Sequence, residues 1–320
     1  MLTNKKKAIA VFAILFCLLN YAVAVWWSSE PELIAIQEFS AQQSEQENVM
    51  TAAGYATSTA LIEIVDTLLN KSGGYLSNDI MPPSLLMDNM PAWEFGVLEV
   101  ARDTALSMRR DLARSQSQSV EDPDLVKAQP LLNISHTSWT MPSAEDQYQD
   151  AIKALKSYRS RLNEFDKPSQ FFARADNLRE WLQFVEKRLG AQSQSLSASV
   201  GRESLNSFGI LDGQTEQNIK TSWWQIDDNF YQARGTCWAL LVMFKALEID
   251  FEDVLQNKNA YVSFQQIIRE LEATQVSFWS PIILNGSGFG FVANHSLVMA
   301  NYISRANAAV INLRELLDQG

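Results

Sequence analysis

The sequence predicts an all-α protein, with an N-terminal transmembrane helix followed by a mostly helical bundle and two irregular loops rich in Pro, Met and Trp. Three observations predict this class. An almost unbroken apolar run extends from Ala8 to Trp27. Apolar residues recur at helical spacing through most of the remaining chain. Only the stretch 275–286, QVSFWSPIILNG, contains a strand-like run.

The N-terminus has the pattern of a membrane anchor. The segment 1–7 carries three lysines, and residues 8–27 are long enough to cross a bilayer, which takes roughly 20 apolar residues. Lysines favour the cytoplasmic side, and Trp26 and Trp27 close the run where aromatic rings favour the headgroup region. We therefore expect a single pass through a membrane, with the N-terminus on the cytoplasmic side and the remaining chain outside.

A cleaved signal peptide is the alternative interpretation of this segment. Ala22, Val23 and Ala24 fit the small-x-small cleavage pattern. The apolar run nevertheless continues past that site to Trp27, which favours an uncleaved anchor. Both interpretations export residues 28–320.

Composition restricts the partners and the chemistry. The chain has a formal net charge of −11, and residues 5–7 hold a cluster of its positive charge, so the exported part is more acidic still. Nucleic acids need clustered positive charge, so we expect no nucleic-acid partner. Cys17 lies in the apolar run and Cys237 far downstream, so we expect no disulfide. No zinc spacing is present, and we expect no cofactor and no metal.

The helices are predicted in order from spacing and from start signals such as Asp122-Pro123 and Ser143. In the N-terminal helical region, 28–190, they begin at 29–32 and continue at 49–69, 93–116, 122–131, 143–165 and from Pro168 onward. Residues 191–222, rich in Ser, Gln, Gly and Asn, are predicted to form a linker or mobile loop. In the C-terminal helical region, 223–320, helices are predicted at 224–247, 252–255, 262–273 and 295–317.

Three glycines, Gly286, Gly288 and Gly290, precede His295, one of only two histidines. A glycine-rich loop before a helix can hold a phosphate on backbone N–H groups. The phosphate-loop pattern also needs a lysine followed by Ser or Thr, and none lies here. We interpret this stretch as a tight turn that starts the last helix, with His295 as a structural residue and a weaker candidate for binding.

The stretch 222–235, SWWQIDDNFYQARG, is the main candidate for ligand binding. Trp223, Trp224, Asp227, Asp228 and Arg234 combine aromatic platforms with charge, as a glycan site does, and paired carboxylates hydrolyse glycosides. Adjacent helical residues point about 100° apart, so the two acids would not face one substrate together. An N-terminal cap with an ion pair inside the helix is the alternative that we favour.

The loop 80–96 is the second candidate. Its three prolines predict irregular structure, and Asp88, Asn89, Trp93 and Glu94 accompany many apolar side chains. Such a loop can dock a partner protein or fold over the hydrophobic core, and the second alternative is favoured.

Several long motifs together resemble one bacterial family. They are GGYLSNDIMPP, DNMPAWEFGVLEVARD, ARADNLREWLQFVEKRLG, IDDNFYQARG and NGSGFGFVANHSLVMANYISRANAAVINLRELL. From about residue 50 to the C-terminus, the chain is similar to the family catalogued as domain of unknown function 2333. The resemblance implies a Gram-negative inner-membrane protein that faces the periplasm. It implies no catalytic residue and no ligand.

Two functions follow as hypotheses. The first is a non-enzymatic, membrane-anchored periplasmic protein that acts as a scaffold or interaction partner for other envelope proteins. The second is a cell-wall glycan-binding protein or glycoside hydrolase that binds peptidoglycan through Asp227, Asp228 and the neighbouring tryptophans. Because no complete catalytic constellation is recognisable in the sequence, we favour the non-enzymatic function.

Overall fold

The computed structural model describes residues 4–47, 52–116, 118–164, 166, 169–200, 202–203, 218–219, 221–277, 282–286 and 292–319. Eleven α-helices occupy these ranges and confirm the all-α class: α1 Asn4–Trp27, α2 Ile36–Glu47, α3 Tyr55–Asn70, α4 Asn89–Ser107, α5 Pro123–Leu132, α6 Ala144–Arg161, α7 Ala175–Ser197, α8 Ile226–Asp250, α9 Glu252–Asn257, α10 Tyr261–Thr274 and α11 His295–Asp318. A π-helical turn, Met108–Leu112, extends α4, and 3₁₀ turns lie at Ser84–Leu86, Ala198–Val200 and Trp223–Gln225. Two two-residue strands, β1 Arg202–Glu203 and β2 Asn218–Ile219, pair antiparallel.

Helix α1 corresponds to the apolar run of the sequence. Most of its described side chains are exposed, and within the described residues it alone is long and apolar enough to cross a membrane. A signal sequence near an N-terminus has the same length and composition, so both interpretations of this segment fit the helix.

The predicted helix starts are confirmed where a side chain caps the helix. Ser143 accepts a hydrogen bond from the N–H of Asp146 at 3.2 Å, and Asp122 accepts one from the N–H of Asp124 at 2.9 Å. Asn294 caps α11 in the same way. These bonds satisfy N–H groups that have no partner inside the helix.

The predicted start of α4 was wrong, because the helix begins at Asn89 rather than at Trp93. Pro91 is therefore the third residue of the helix. The first four N–H groups of a helix have no intrahelical partner, so a proline there removes no hydrogen bond. Trp93 and Glu94 consequently lie on a helix and not in an irregular loop.

Two other helices begin later than predicted because tertiary contacts hold the preceding chain outside a helix. Helix α2 begins at Ile36 rather than near residue 30, since Glu30 pairs with Arg234. Helix α7 begins at Ala175 rather than at Pro168, and the N–H of Phe172 donates to the carbonyl of Leu112 at 2.7 Å. Helix α6 ends at Arg161, short of the predicted residue 165.

The Ser- and Gln-rich segment 191–222 begins as helix, because α7 continues to Ser197. The hydroxyl groups of Ser193 on α7 and Ser304 on α11 lie 2.6 Å apart. Buried side chains from both predicted regions join one hydrophobic cluster. Residues 204–217 lie outside the described residues, and the role of the segment as a linker stays a prediction.

The two ends of the helical bundle differ in what they carry. At one end the start of α3 meets the end of α8, where Thr57 bonds to Asp250 at 2.6 Å. At the other end, Trp27 at the close of α1 packs on Gly73 after α3. Asp88 before α4 lies close enough to Asp228 of α8 to interact electrostatically. We call this second end, with Trp27, residues 71–88 and the first turns of α4 and α8, the anchor end.

Helices α4 and α8 run in the same direction and cross with their backbones in close approach. A β-carbon at Gly96 would overlap the carbonyl oxygen of Gln232 and lie 2.9 Å from the nitrogen of Thr236. A β-carbon at Gly235 would overlap the carbonyl oxygen of Trp93. Only glycine permits this distance between the two helices.

We expect Gly96→Ala to destabilise the bundle by about 1–3 kcal/mol or more, because the added methyl group meets backbone that cannot rotate away. Gly190→Ala is the matched control. Gly190 is also helical, but the nearest atom to its added β-carbon is the Asn307 amide nitrogen at 3.8 Å. That change should raise stability by about 0.5–1 kcal/mol.

The measurement is denaturant unfolding of the full chain in detergent micelles, followed by circular dichroism. Equal midpoints for the two alanine variants would contradict the close helix crossing.

Candidate functional site at the anchor end

The chain that follows α1 is fixed to the bundle by a buried arginine. The side chain of Arg234 on α8 is nearly inaccessible, and its Nε lies 2.6 Å from a carboxylate oxygen of Glu30. Its Nη1 donates to the carbonyl oxygens of Thr274 and Val276, at 3.0 and 3.1 Å, and its Nη2 donates to Gln275. Arg234 therefore joins the segment after the apolar helix to the end of α10.

A second contact lies one turn further along α8. The indole N–H of Trp238 donates to the carbonyl of Glu32 at 3.3 Å, and its ring packs against Trp93 with centroids 5.3 Å apart. Ile36, at the start of α2, is fully buried in the core. The segment between α1 and α2 therefore contacts the bundle through the Glu30 side chain and the Glu32 carbonyl, and Ile34 packs against the core.

Glu94 is a structural residue rather than an exposed ligand contact. Its carboxylate is fully buried, lies 2.6 Å from the Nζ of Lys71, and accepts the N–H groups of Leu76 and Ser77 at 2.8 Å each. Lys71 also donates to the carbonyl of Gly74 at 2.6 Å. The carboxylate thereby fixes the turn that leads into the loop 80–88.

Asp88 and Asn89 lie at the junction of that loop with α4. Asp88 is exposed and its carboxylate accepts the N–H of Asn89 at 3.0 Å, which makes it the N-terminal cap. Trp93, one turn later, is fully buried. Of the four candidates predicted in this loop, Asp88 and Asn89 remain near the surface, whereas Trp93 and Glu94 support the core.

Trp223 and Trp224 are exposed, at 69% and 79% of their surface, and their rings meet edge to face at 5.7 Å. Trp223 borders a groove of about 510 Å³ whose lining includes Ile226 and Ile282. Large aromatic rings left open beside a groove are a common feature of binding sites.

The two aspartates that follow are half-buried in the first turn of α8. Burial of Asp228 raises its pKa, and the negative charges of Asp88 and Asp227 raise it further. One carboxylate oxygen of Asp228 has no hydrogen-bond donor among the described residues. Among the described residues, neither aspartate lines the groove beside Trp223.

His295 begins α11, and its Nδ1 accepts the N–H of Leu284 at 3.2 Å. Burial lowers its pKa, so the ring favours the neutral form. The flanks of the glycine-rich stretch pair with each other, since Gly286 donates its N–H to Ala293 at 3.0 Å. Gly288 and Gly290 lie outside the described residues.

Cys237 is fully buried on α8, and burial raises the pKa of its thiol to about 12. A thiol needs to ionise to act as a nucleophile or a metal ligand, so this one is inert at neutral pH. No group of three or more His, Cys, Asp or Glu side chains that could hold a metal ion occurs within the described ranges.

These features define an all-α protein with an N-terminal helix that is apolar enough to cross a membrane or to act as a signal sequence. The chain belongs to the family described as "Uncharacterized protein conserved in bacteria (DUF2333)", which matches residues 2–320. The match confirms the resemblance and extends it to the apolar N-terminal segment. Comparison with the curated proteins and with the solved structures finds no match.

Two important residues of the anchor end were missed by sequence reasoning. Lys71 and Glu30 have no local pattern that marks them, because their partners lie 23 and 204 residues away in the chain. The pairing of Glu30 with Arg234 could be found only by the fold. The interpretation favoured for the start of α8, an N-terminal cap with an ion pair inside the helix, was wrong, because Gln225 at the cap position makes no side-chain capping bond and Arg234 pairs with Glu30.

We expect Cys237 to resist a maleimide reagent in the native protein at neutral pH and to react fully after unfolding, because its thiol is buried and protonated. The measurement is mass spectrometry of Cys17→Ala, in which Cys237 is the only cysteine. A cysteine placed at Val120, which is 93% exposed, is the positive control. Rapid native labelling of Cys237 would show an accessible thiol and contradict its assignment to the core.

We expect Asp88→Asn to lower the pKa of Asp228 towards its ordinary value of 3.8, because a neighbouring negative charge is removed. Asp79→Asn, at the other flank of the same loop, is the control and should leave that pKa unchanged. Carboxyl ¹³C NMR of aspartate-labelled protein measures it. An unchanged Asp228 pKa in the Asp88 variant would contradict the proximity of the two helix starts.

The raised pKa of Asp228 also has a consequence for stability. Between 3.8 and the folded-state pKa, the folded protein binds more protons at this carboxyl than the unfolded chain does. Its contribution to the free energy of unfolding therefore decreases as pH rises through that window. Asp88→Asn should narrow this pH range, because it lowers the folded-state pKa of Asp228.

Proposed function

We propose that this protein is a single-pass inner-membrane protein whose helical bundle lies in the periplasm and binds other envelope proteins without catalysing a reaction. The lysines at 5–7 support a cytoplasmic N-terminus, since positive charge is retained on that side. Membership in a family conserved in bacteria supports a bacterial membrane as its location. Two tryptophans at the end of α1 support an anchor that stays in the bilayer.

The observation that carries the proposal is the docking of residues 28–36 onto the bundle. A buried ion pair costs several kcal/mol in desolvation per ion unless it is well satisfied, and Arg234 is satisfied by Glu30 and three carbonyl groups. An enzyme that is anchored to a membrane can act through a flexible linker, because its orientation relative to the membrane is not critical. A scaffold gains from a bundle held in one orientation above the membrane, because its binding surface then faces partners in the same layer.

The chemistry of the candidate residues supports a binding role. The Cys237 thiol is buried and protonated, and the described contacts of His295 Nδ1 are made with the backbone. Nucleophilic catalysis needs an ionisable nucleophile within reach of a base. Glu94 and Arg234, the two charged groups buried most deeply among the candidates, are both committed to structural contacts.

A cell-wall glycan-binding protein is the second candidate, and one observation favours it. Trp223 presents an open ring beside a groove, and the ring of Trp224 next to it is also exposed. Sugar rings stack on such surfaces through their C–H faces. Asp227 and Asp228 follow directly. For hydrolysis, two carboxyl groups would have to flank the sugar at about 5–10 Å from each other across a cleft.

The test of the proposed function asks whether partner binding requires the bundle to be held in a fixed orientation relative to α1, or only to be attached to it. We expect in-cell crosslinking followed by a pull-down of the full-length tagged protein to recover a reproducible envelope complex. Insertion of a flexible Gly-Ser segment between Ser28 and Ser29, combined with Trp27→Ala, leaves Glu30 and Arg234 paired but removes both the rigid connection to α1 and the packing of Trp27 on Gly73, and this variant should lose the complex. The same insertion between Asp318 and Gln319 is the control. Failure to recover any reproducible partner would overturn the scaffold function.

The second candidate has its own test. Detergent-solubilised full-length protein is sedimented with isolated peptidoglycan. If the glycan function holds, the protein co-sediments, and Trp223→Ala with Trp224→Ala abolishes this, while Trp139→Ala, another exposed tryptophan, does not. If the double variant and the Trp139→Ala control lose co-sedimentation alike, the wild-type protein adsorbs non-specifically to peptidoglycan and has no specific glycan site there.

A further inference from the structure

The loop 80–87 exposes an unusual amount of apolar surface. Its sequence, IMPPSLLM, contains no charged residue, and Ile80, Met81, Leu85 and Leu86 are exposed at 52%, 70%, 62% and 81%. Soluble domains rarely leave several large apolar side chains open side by side. Such a surface indicates a contact that the chain by itself does not provide.

The position of the loop identifies that contact. Pro82, Leu86 and Met87 face the second half of α1 across a cleft of about 570 Å³. The wall formed by α1 is mostly apolar, with Asn20 as a polar member, and Asp88 and Asn89 lie at the edge of the cleft where α4 begins. From Phe16 to Trp27 the helix rises about 16 Å, roughly half the hydrocarbon thickness of a bilayer. If α1 spans a membrane, the loop lies beside it at the depth of the leaflet on the bundle side.

The backbone of the loop is suited to an apolar environment. Pro82 and Pro83 have no N–H group, and the N–H groups of Leu85, Leu86 and Met87 donate to carbonyls within the loop at 3.3, 3.0 and 2.8 Å. In the hydrocarbon region every unsatisfied backbone group costs several kcal/mol, so irregular chain is excluded there unless its polar groups are paired. The 3₁₀ turn and the two prolines meet most of this requirement locally.

Ser84 carries the one hydroxyl side chain of the loop, and this hydroxyl group is also hydrogen-bonded within the loop. The hydroxyl of Ser84 donates to the carbonyl of Met81 at 2.6 Å. Carboxylates flank the apolar segment on both sides, at Asp79 and Asp88, and both are exposed. Charged groups remain at the water-facing side of an interface, so these two residues limit the length of chain that can enter the leaflet.

The loop is also held in place. Glu94 fixes the turn before it, and Trp27 packs on Gly73 within that turn. Asn78 donates its amide to Ser138 O at 2.8 Å, which joins it to the second irregular loop, where Trp139 and Met141 are exposed. The apolar tips are therefore presented by a fixed base.

We propose that residues 80–87 insert into the bundle-side leaflet as a second membrane contact beside α1, and that a phospholipid acyl chain fills the cleft between them. This inference rests on the proposed anchor. The occupant is lipid because the exposed side chains are uncharged, the polar backbone groups are largely paired internally, and the neighbouring wall is the apolar helix itself.

The experiment uses full-length Cys17→Ala protein in phospholipid nanodiscs with a single nitroxide spin label. The label is placed in turn at Leu86→Cys, at Leu15→Cys in α1, and at Val120→Cys at the far end of the bundle. Power saturation measures collisions with oxygen, which concentrates in lipid, and with a water-soluble nickel chelate. We expect the oxygen-to-nickel collision ratio at position 86 to match that at position 15 and to exceed that at position 120.

Two outcomes would overturn the proposal while leaving the anchor intact. With position 15 in lipid, high nickel collision at position 86 would place the loop in water. Low collision with both reagents would place it against protein, as in self-association. Failure of the anchor has a different signature, because intact-mass measurement of protein isolated from cells would then show cleavage after Ala24.

A second variant separates insertion from folding. Leu85→Glu with Leu86→Glu alters only exposed side chains, so helical content should be unchanged, while a spin label at Met81→Cys in this variant should gain nickel accessibility. Val120→Glu is the matched control and should leave the label at position 81 shielded. An unchanged nickel accessibility at position 81 in the double glutamate variant would overturn insertion of the loop.

Discussion

The anchor end depends on the buried carboxylate of Glu94. It accepts two backbone N–H groups and contacts the ammonium group of Lys71, and no solvent reaches it. A buried charge is tolerated only when its partners replace the lost water. Because those partners all belong to the turn after α3, the requirement for satisfaction fixes the turn. This turn then determines where Gly73 meets Trp27 and where the loop 80–87 begins.

Arg234 extends the same logic to the segment after α1. Its guanidinium group has several donors in one plane, and the structure uses them on one carboxylate and on the carbonyl groups that end α10. Carbonyl groups at the end of a helix lack intrahelical donors, and a cation there also meets the negative end of the helix dipole. One side chain thus completes a helix end and fixes the chain that follows α1, which a lysine with its point charge would do less well.

The deeply buried ionisable groups have structural roles, and this shapes the functional argument. Asp250 lies at the end of α8 and receives both the N–H and the hydroxyl of Thr57, so it acts as a cap supplied from a distant helix. Burial of Asp250 raises its pKa, which its hydrogen bonds oppose. A carboxyl with a perturbed pKa is often a sign of catalysis, but here burial of a helix-capping group explains the raised pKa. The open surfaces of the anchor end are instead apolar and aromatic, which favours binding.

The sequence by itself determined the helical class, the apolar N-terminal segment and the caps at Asp122 and Ser143. These depend on spacing and on contacts within a few residues. The start of α4 at Asn89 is also local, since Pro91 is tolerated in a first turn. Tertiary structure decided where α2 and α7 begin, because Glu30 and Phe172 bond to distant partners. It also decided that Glu94 and Arg234 are internal supports, since a charge becomes structural only when remote chain brings donors or acceptors to it. Tertiary structure likewise decided the placement of the loop 80–87 beside α1. These two segments are more than fifty residues apart in the chain and come together only when the bundle has formed.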